Sequence, residues 1–407
     1  MKKYFIIAVL ALVASAACTK VDPVDAPAQK ITFQAAPYTA QTKSGEVSVF
    51  NDFKEFQSRA FLHAEGVDLN ADYTVNGTSY QDFFGSTGET ISPYTTAGVK
   101  ITDPTTSSTN VGYWAPSHEY YWPKSTHSFV NFIGWYGTDG TNAVNPTIAY
   151  AYTNSKWTAT MTWTWEGTTA GEAGANLLYA DMAWRYNQNP GAEYGLNGLS
   201  SNYNKGVPML FHHALAQINV KAYASAATAA SGEPANTALT VSGNNVTDGN
   251  ATWTIVLDNV KITPVYATGT LALTNADPGS NTTQAWTGDW AGTGSTGDLV
   301  ANDFTVKQVV KDDAEDIYEA TCVMPQTLGA DVVLSFDLDI TTAYSGNVSN
   351  HEIIPISIKL NDMGTSAWAK NTKYTYYLQI NPSQKRVRFD PALEADWVEA
   401  NTTDQTI

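Results

Sequence analysis

The stretch from Lys156 to Trp165 constrains this chain more than any other. Trp157, Ala159, Met161, Trp163 and Trp165 alternate one for one with Thr158, Thr160, Thr162 and Thr164. Side chains of a strand point alternately to its two faces, so this order sets an apolar face on a core and a threonine face in water. A helix would scatter the same residues around its circumference. The period-2 pattern recurs along the chain. Ile31, Phe33 and Ala35 alternate with Thr32 and Gln34, and Ile218, Val220 and Ala222 with Gln217, Asn219 and Lys221. Trp253, Ile255 and Leu257 share a face, as do Leu334, Phe336, Leu338 and Ile340. Ile354, Ile356, Ile358 and Leu360 alternate with Pro355, Ser357 and Lys359. Tyr374, Tyr376, Leu378 and Ile380 alternate with Lys373, Thr375, Tyr377 and Gln379. Pro355 has no N–H to donate, which places its strand at an edge or near an end. Turn-rich stretches at Gly137–Gly140, Gln188–Gly206, Ser225–Asn250 and Asp277–Gly297 separate these runs. Many short strands with polar connections predict an all-β chain built from sandwiches, and 407 residues suit two in tandem. The boundary is expected at the Asn/Gly/Ser-rich stretch, giving sandwiches over 31–206 and 207–398 and a C-terminal tail over 399–407.

The N-terminus carries an address. Lys2 and Lys3 precede an uncharged, mostly apolar run from Tyr4 to Ala17, too short for a spanning helix. Ser15-Ala16-Ala17-Cys18 follows, similar to a lipobox, at which the cysteine thiol is acylated and becomes the new N-terminus. Residues 1–17 are then a signal peptide and 18–30 a lipidated tether; an ordinary cleaved signal would lead to the same compartment. Multiple acyl chains on Cys18 would make the anchoring stable.

Composition excludes some functions. A formal net charge of −17 gives the chain no attraction to phosphate backbones, so nucleic acid is not an expected partner. With Cys18 acylated, Cys322 has no disulfide partner and reads as a small buried side chain beside Val323 and Met324. His212 and His213 are adjacent, so on a strand they face opposite sides and do not share a metal ion. Asp52, Asp68 and Asp72 lack the spacing of a calcium loop. Asp312-Asp313 and Glu315-Asp316 read as a solvated acidic turn. No nucleophile elbow, zinc-protease motif or phosphate-binding loop is present, and neither a catalytic residue nor a cofactor is expected. Trp114, Tyr120, Tyr121 and Trp122 lie near Pro116 and Pro123, and read as core or corner packing rather than a sugar platform.

Several segments together resemble the fimbrillin family, the type V pilus subunits of Bacteroidetes-type bacteria. They are Ser15 to Cys18, Ile31-Thr32-Phe33, Thr42-Lys43, Tyr120-Tyr121-Trp122-Pro123 and Phe129-Val130-Asn131-Phe132. Val207-Pro208-Met209-Leu210-Phe211-His212-His213-Ala214-Leu215, Met324-Pro325-Gln326, Tyr374-Thr375-Tyr376, Val387-Arg388-Phe389 and Asp396-Trp397 complete the series. The resemblance implies two transthyretin-like sandwiches and a structural subunit (tip, shaft or anchor) of an adhesive surface fimbria, not an enzyme. It further implies outer-membrane attachment through Cys18, and a protease cut after Arg59 or Lys43 that releases the first strand with Ile31, Phe33 and Ala35. A neighbouring fimbrial subunit would then fill the groove head to tail, and host glycans or proteins would be the adhesion partners. A surface glycan-binding lipoprotein, which keeps its lipid and stays monomeric, is the alternative.

Overall fold

The computed structural model describes residues 30–37, 55–64, 81–84, 99–102, 114–122, 128–139, 147–153, 156–164, 175–186, 206–226, 239–276, 286–292, 296–344 and 349–396. In chain order the first strands are β1 (Phe33–Pro37), β2 (Glu55–Ala64), β3 (Gln81–Phe84), β4 (Val99–Thr102), β5 (Ala115–Pro116) and β6 (Ser128–Asp139). Next come β7 (Thr147–Thr153), β8 (Lys156–Thr164), β9 (Ala175–Ala180), β10 (Ala183–Tyr186), β11 (Val207–His213), β12 (Ala216–Ala224), β13 (Thr240–Ser242) and β14 (Asn245–Thr247). They are followed by β15 (Ala251–Tyr266), β16 (Thr268–Ala276), β17 (Trp290–Gly292), β18 (Thr296–Val300), β19 (Phe304–Thr305) and β20 (Glu315–Val323). The last are β21 (Gln326–Thr327), β22 (Val333–Tyr344), β23 (Ser349–Lys359), β24 (Ala367–Trp368), β25 (Thr372–Asn381) and β26 (Arg386–Asp396). No α-helix occurs among the described residues, as the alternating patterns require.

The first sheet runs β1-β11-β9-β6-β2-β4-β5, with β10 also on β6 and β3 also on β2. It returns on itself. The segment that carries β5 bonds back to β1, through bridges between Trp114 and Phe33 and between Tyr121 and Lys30. β1, β2, β4, β6, β9 and β11 all send apolar side chains inward. Phe56, Val99, Val130, Phe132, Leu178 and Phe211 are all buried in this core. A closed ring removes the free edges that an open sheet leaves unpaired.

β6 and β9 are buried on both faces. Their other side chains, Ile133, Trp135, Leu177 and Tyr179, form a second core with Ala159 and Met161 of β8 and Leu271 and Leu273 of β16. These last two strands belong to a four-stranded sheet, β17-β16-β8-β7, laid against the outside of the ring. Of the Lys156–Trp165 run, the described side chains at its centre follow the pattern, with Ala159 and Met161 buried and Thr160 exposed, while the burial of its tryptophans lies outside what is described.

The second half is a sandwich of a four-stranded sheet, β20-β12-β25-β26, and a seven-stranded sheet along β13-β14-β15-β22-β23. Ile218, Val220, Tyr374, Tyr376, Leu378 and Ile380 of the first face Trp253, Ile255, Leu257, Leu334, Phe336 and Leu338 of the second in one core. The edge position expected for the Pro355 strand is found, since β23 pairs with β22 alone along the sheet order.

The two halves share strands. β11 pairs with β1 and β9, so the chain leaves the first sheet at Ala214 and Leu215, beyond the stretch at Gln188–Gly206. β15 runs almost without break into β16, which crosses to pair with β8 in antiparallel register. Gln326 braces this crossing: its side chain accepts from the Tyr266 N–H at 2.8 Å and donates to the Pro264 carbonyl at 3.2 Å.

Candidate functional site

The three apolar side chains expected at the start of the chain line the ring. Ile31 is 1 % exposed, Phe33 0 % and Ala35 2 %. Phe33 meets Phe56 and Phe132 edge to face, with centroids 5.9 and 5.4 Å apart. Each such contact contributes about 0.5–1.5 kcal/mol beyond the burial itself. Burying the Phe33 side chain contributes about 2–3 kcal/mol. Trp114 and Trp122 complete the aromatic wall by packing on Phe56 and Phe132.

The main chain of this segment is held on both sides. On one side β1 runs parallel to β11, with Phe33 opposite Val207 and Pro37 opposite Phe211. The Val207 N–H donates to the Thr32 carbonyl at 2.8 Å. On the other side the Ile31 N–H donates to the Tyr120 carbonyl at 2.7 Å. Phe33 and Trp114 exchange two bonds, of 2.8 and 3.0 Å. β1 is therefore the stave that closes the ring, and its removal would leave two rows of unpaired backbone groups above an open apolar slot.

Two further features fit the slot. Gly206 has φ +88°, and a Cβ there would lie 2.8 Å from backbone atoms of Thr32 and Phe33. Glycine is needed both for the left-handed backbone and for the close approach of β1. At the open end, Lys30 forms an ion pair with Glu119, whose other carboxylate oxygen accepts from the Tyr121 hydroxyl at 2.6 Å. Lys30 donating to Glu119 and Tyr121 donating to it both hold that carboxyl below the usual carboxylate range.

The other expected positions fall elsewhere. Arg59 lies within β2, opposite Ile133 of β6, and the next residue, Ala60, is fully buried and lies between Phe132 and Phe84 of the flanking strands. A protease needs an extended, accessible segment, so a cut after Arg59 requires β2 to leave the sheet first. Cys18, Lys43 and the tail 399–407 lie outside the described residues.

The aromatic stretch divides between two environments. Trp114 and Trp122 are buried and Tyr120 packs on the core, but Tyr121 is 41 % exposed. Sequence reasoning did not find Glu119 or Gly206. Their signals are slight: an acid beside Tyr120-Tyr121-Trp122, and the glycine that ends an irregular stretch before Val207-Pro208.

His212 and His213 part company, as adjacent strand residues do. His212 Nε2 lies 2.9 Å from the buried Asp181 carboxylate, and its ring stacks on Tyr179. His213 is buried, and its N–H donates to the Asn371 side chain at 3.3 Å. Among the described residues no group of three or more His, Cys, Asp or Glu side chains is placed to hold a metal ion. Cys322 is buried in the second core with Met324. Asp312 and Asp313 form an exposed turn as expected. Glu315 and Asp316 instead begin β20, where Asp316 pairs with Lys221 at 2.9 Å because β12 brings that lysine alongside. Among the described residues no helix is long and apolar enough to cross a membrane.

Comparison with known proteins places this architecture. No curated protein matches the sequence. A fimbrial protein from Bacteroides vulgatus is similar in fold, with a TM-score of 0.53 at 14 % identity, over 91 % of this chain and 100 % of that one. The fimbrial anchor protein Mfa2 from Porphyromonas gingivalis aligns over 91 % of this chain and 98 % of that one, at 10 % identity and a TM-score of 0.27, too low to carry an argument. The sequence itself matches the fimbrillin-like family over residues 81–397, from β3 to just past β26, and the chain belongs to that family.

Proposed function

We propose that this protein is a structural subunit of a cell-surface fimbria, assembled by exchange of its first strand. One observation carries the reading: β1 is the closing stave of an otherwise continuous ring, with Phe33 and Ala35 buried in its core, and a long stretch of sequence, 38–54, joins it to β2. The chain is exported, residues 1–17 are removed, and lipid on Cys18 tethers it to the outer membrane. A protease then cuts between β1 and β2. Lys43 lies in that stretch, whereas Arg59 lies inside a paired strand, so Lys43 is the better substrate. The cut separates the tether and β1 from the body without breaking the ring elsewhere.

Loss of β1 leaves a slot that an extended strand of a neighbouring subunit fills by β-augmentation. Such a contact is heterologous, because the slot of one copy meets a different surface of the next, and repetition produces a filament. The role is structural and adhesive rather than catalytic, in keeping with the family. Intact-mass and N-terminal sequencing of the protein from shed filaments and from membranes tests this. A chain starting at Ser44 in high-mass filaments supports it. A start at Ala60 keeps the exchange but moves the cut to Arg59. An intact acylated monomer found only in membranes overturns it.

A further inference from the structure

The slot held by β1 differs along its length, and the differences are chemical. At its mouth Glu119 is oriented by Tyr121 and meets a cation, Lys30. One residue on, the Ile31 side chain is 1 % exposed. Deeper, Phe33 fills a space bounded by the rings of Phe56 and Phe132, which approach it at 86° and 89°. At Ala35, opposite Met209 of β11, the core admits a methyl group that is 2 % exposed. The backbone bonds impose a direction as well. β11 accepts this strand in parallel, and the Trp114–Tyr121 segment accepts it in antiparallel.

From this we infer that the slot selects its occupant by sequence. It takes an extended segment of another subunit, running parallel to β11, with a basic residue, an aliphatic residue, a large aromatic and a small residue at the places of Lys30, Ile31, Phe33 and Ala35. The inference rests on the strand exchange proposed above. The aromatic position supplies affinity, because a cavity at a closed aromatic site cannot collapse. The small position supplies register, because a one-residue slip turns every side chain to the wrong face and sets a bulky group at Ala35. Glu119 supplies polarity: it lies at one end only, so a strand entering backwards has no cation for it.

The test uses the full chain with a protease site placed after Lys43, cut and then mixed with fluorescent peptides. Peptide 30–37 of the natural sequence should displace the cut strand and raise the anisotropy. The Phe33→Ala peptide should bind on the order of a hundredfold more weakly, and an Ala35→Leu peptide about tenfold more weakly. A Lys30→Glu peptide should lose roughly fivefold, as expected for an exposed pair turned repulsive. The Glu119→Lys protein should restore that loss. The same residues in reversed order should not be captured. Equal capture of natural, reversed and charge-reversed peptides, with no rescue by Glu119→Lys, overturns selection while leaving strand exchange intact. Failure to capture even the natural peptide overturns the exchange, and the selection with it.

Discussion

The ring of the first half and the sandwich of the second treat their sheet edges in opposite ways. Along the ring β1-β11-β9-β6-β2-β4-β5 each strand has neighbours on both sides, and the closing stave β1 lies between β11 and the Trp114–Tyr121 segment. In the sandwich, β23 and β26 end their sheets. Ile354, Ile356, Ile358, Val387 and Phe389 on those edges are only partly buried. Exposed Lys359, Arg386 and Arg388 and the N–H-free Pro355 blunt these edges against stray pairing. The sandwich is thus finished without its edge side chains being fully buried, whereas the ring depends on one short strand for both its core and its closure. A strand can act as an exchangeable part only where its loss exposes a slot that strongly favours refilling, and that describes β1.

The sharpest way to break this contrast is to truncate one phenylalanine in each place. Phe33→Ala should lower the stability of the first half by about 3–5 kcal/mol, the range for a large side chain removed from a closed core. Phe389→Ala, at a half-buried edge, should cost the sandwich about 1 kcal/mol. Chemical denaturation followed by tryptophan fluorescence measures both, and equal losses would mean that β1 is no more integral than an edge strand.

A glycine pair sharpens the same contrast with less energy. Gly206 and Gly243 both have positive φ, but a Cβ at Gly206 would strike the β1 backbone, while at Gly243 nothing lies within 4 Å. Gly243→Ala should cost only the left-handed strain, about 1–2 kcal/mol. Gly206→Ala should cost more, roughly 3 kcal/mol, by adding the displacement of β1. It should also make β1 exchange its amides faster in hydrogen-exchange mass spectrometry, an effect that Gly243→Ala lacks.

Next in size is the polar joint behind the ring. Asp181 is buried and faces the His212 ring, and its own N–H donates to the Leu210 carbonyl at 2.8 Å. The neighbouring Ala180 carbonyl accepts from Trp286 Nε1 at 3.0 Å. Asp181→Ala leaves His212 without its carboxylate and should cost about 1–3 kcal/mol. Asp316→Ala removes a partly buried partner of Lys221 at a sheet edge of the sandwich and should cost about 1 kcal/mol. Thermal unfolding of the two variants orders them.

Much of this was legible in the chain, for a local reason. The alternations at Trp253–Leu257, Leu334–Ile340 and Tyr374–Ile380 state which side of each strand is buried, and the core follows them. Ile31, Phe33 and Ala35 were legible in the same way. What each strand pairs with was not, because pairing is decided by partners far away in sequence. Nothing near Ile31 announces a parallel neighbour at Val207, and nothing near Thr268 announces that its strand leaves the sandwich to pair with β8. That Arg59, one of the two candidate cut positions, lies in a paired strand was likewise not legible, because its partner Ile133 is far away in sequence. Met324-Pro325-Gln326 carried the family resemblance without a visible reason. Its glutamine braces the β15–β16 crossing, and its methionine lies where a Cβ at Gly269 would be only 2.3 Å from Sδ.

The smallest expected effect is electrostatic, and it separates the two regions by consequence rather than by size. Glu119, exposed, and Glu352, half-buried, are acids whose carboxyls are both held below the usual range. For Glu119 the first cause is the hydrogen bond from Lys30, then that from Tyr121; for Glu352 it is Lys385, then Asn350. A carboxyl lowered on folding contributes stability that is complete above its unfolded value, about 4.3, and lost as pH falls through the folded value. The Lys30 amine is raised, chiefly by Glu119, so its contribution is complete below its unfolded value and fades as pH rises through the raised one. Both clamps are therefore whole at neutral pH and loosen in acid. At Glu352 the loosened lysine lies on the turn between β25 and β26, which the chain still joins to its own sheet, so nothing is released. At Glu119 the lysine begins the strand that closes the ring. In a chain cut after Lys43, release of β1 should quicken modestly as pH falls below about 4.3, and Glu119→Gln should remove that dependence while Glu352→Gln does not. A pH profile unchanged by Glu119→Gln would show that the ring holds its last stave by packing and backbone bonds alone.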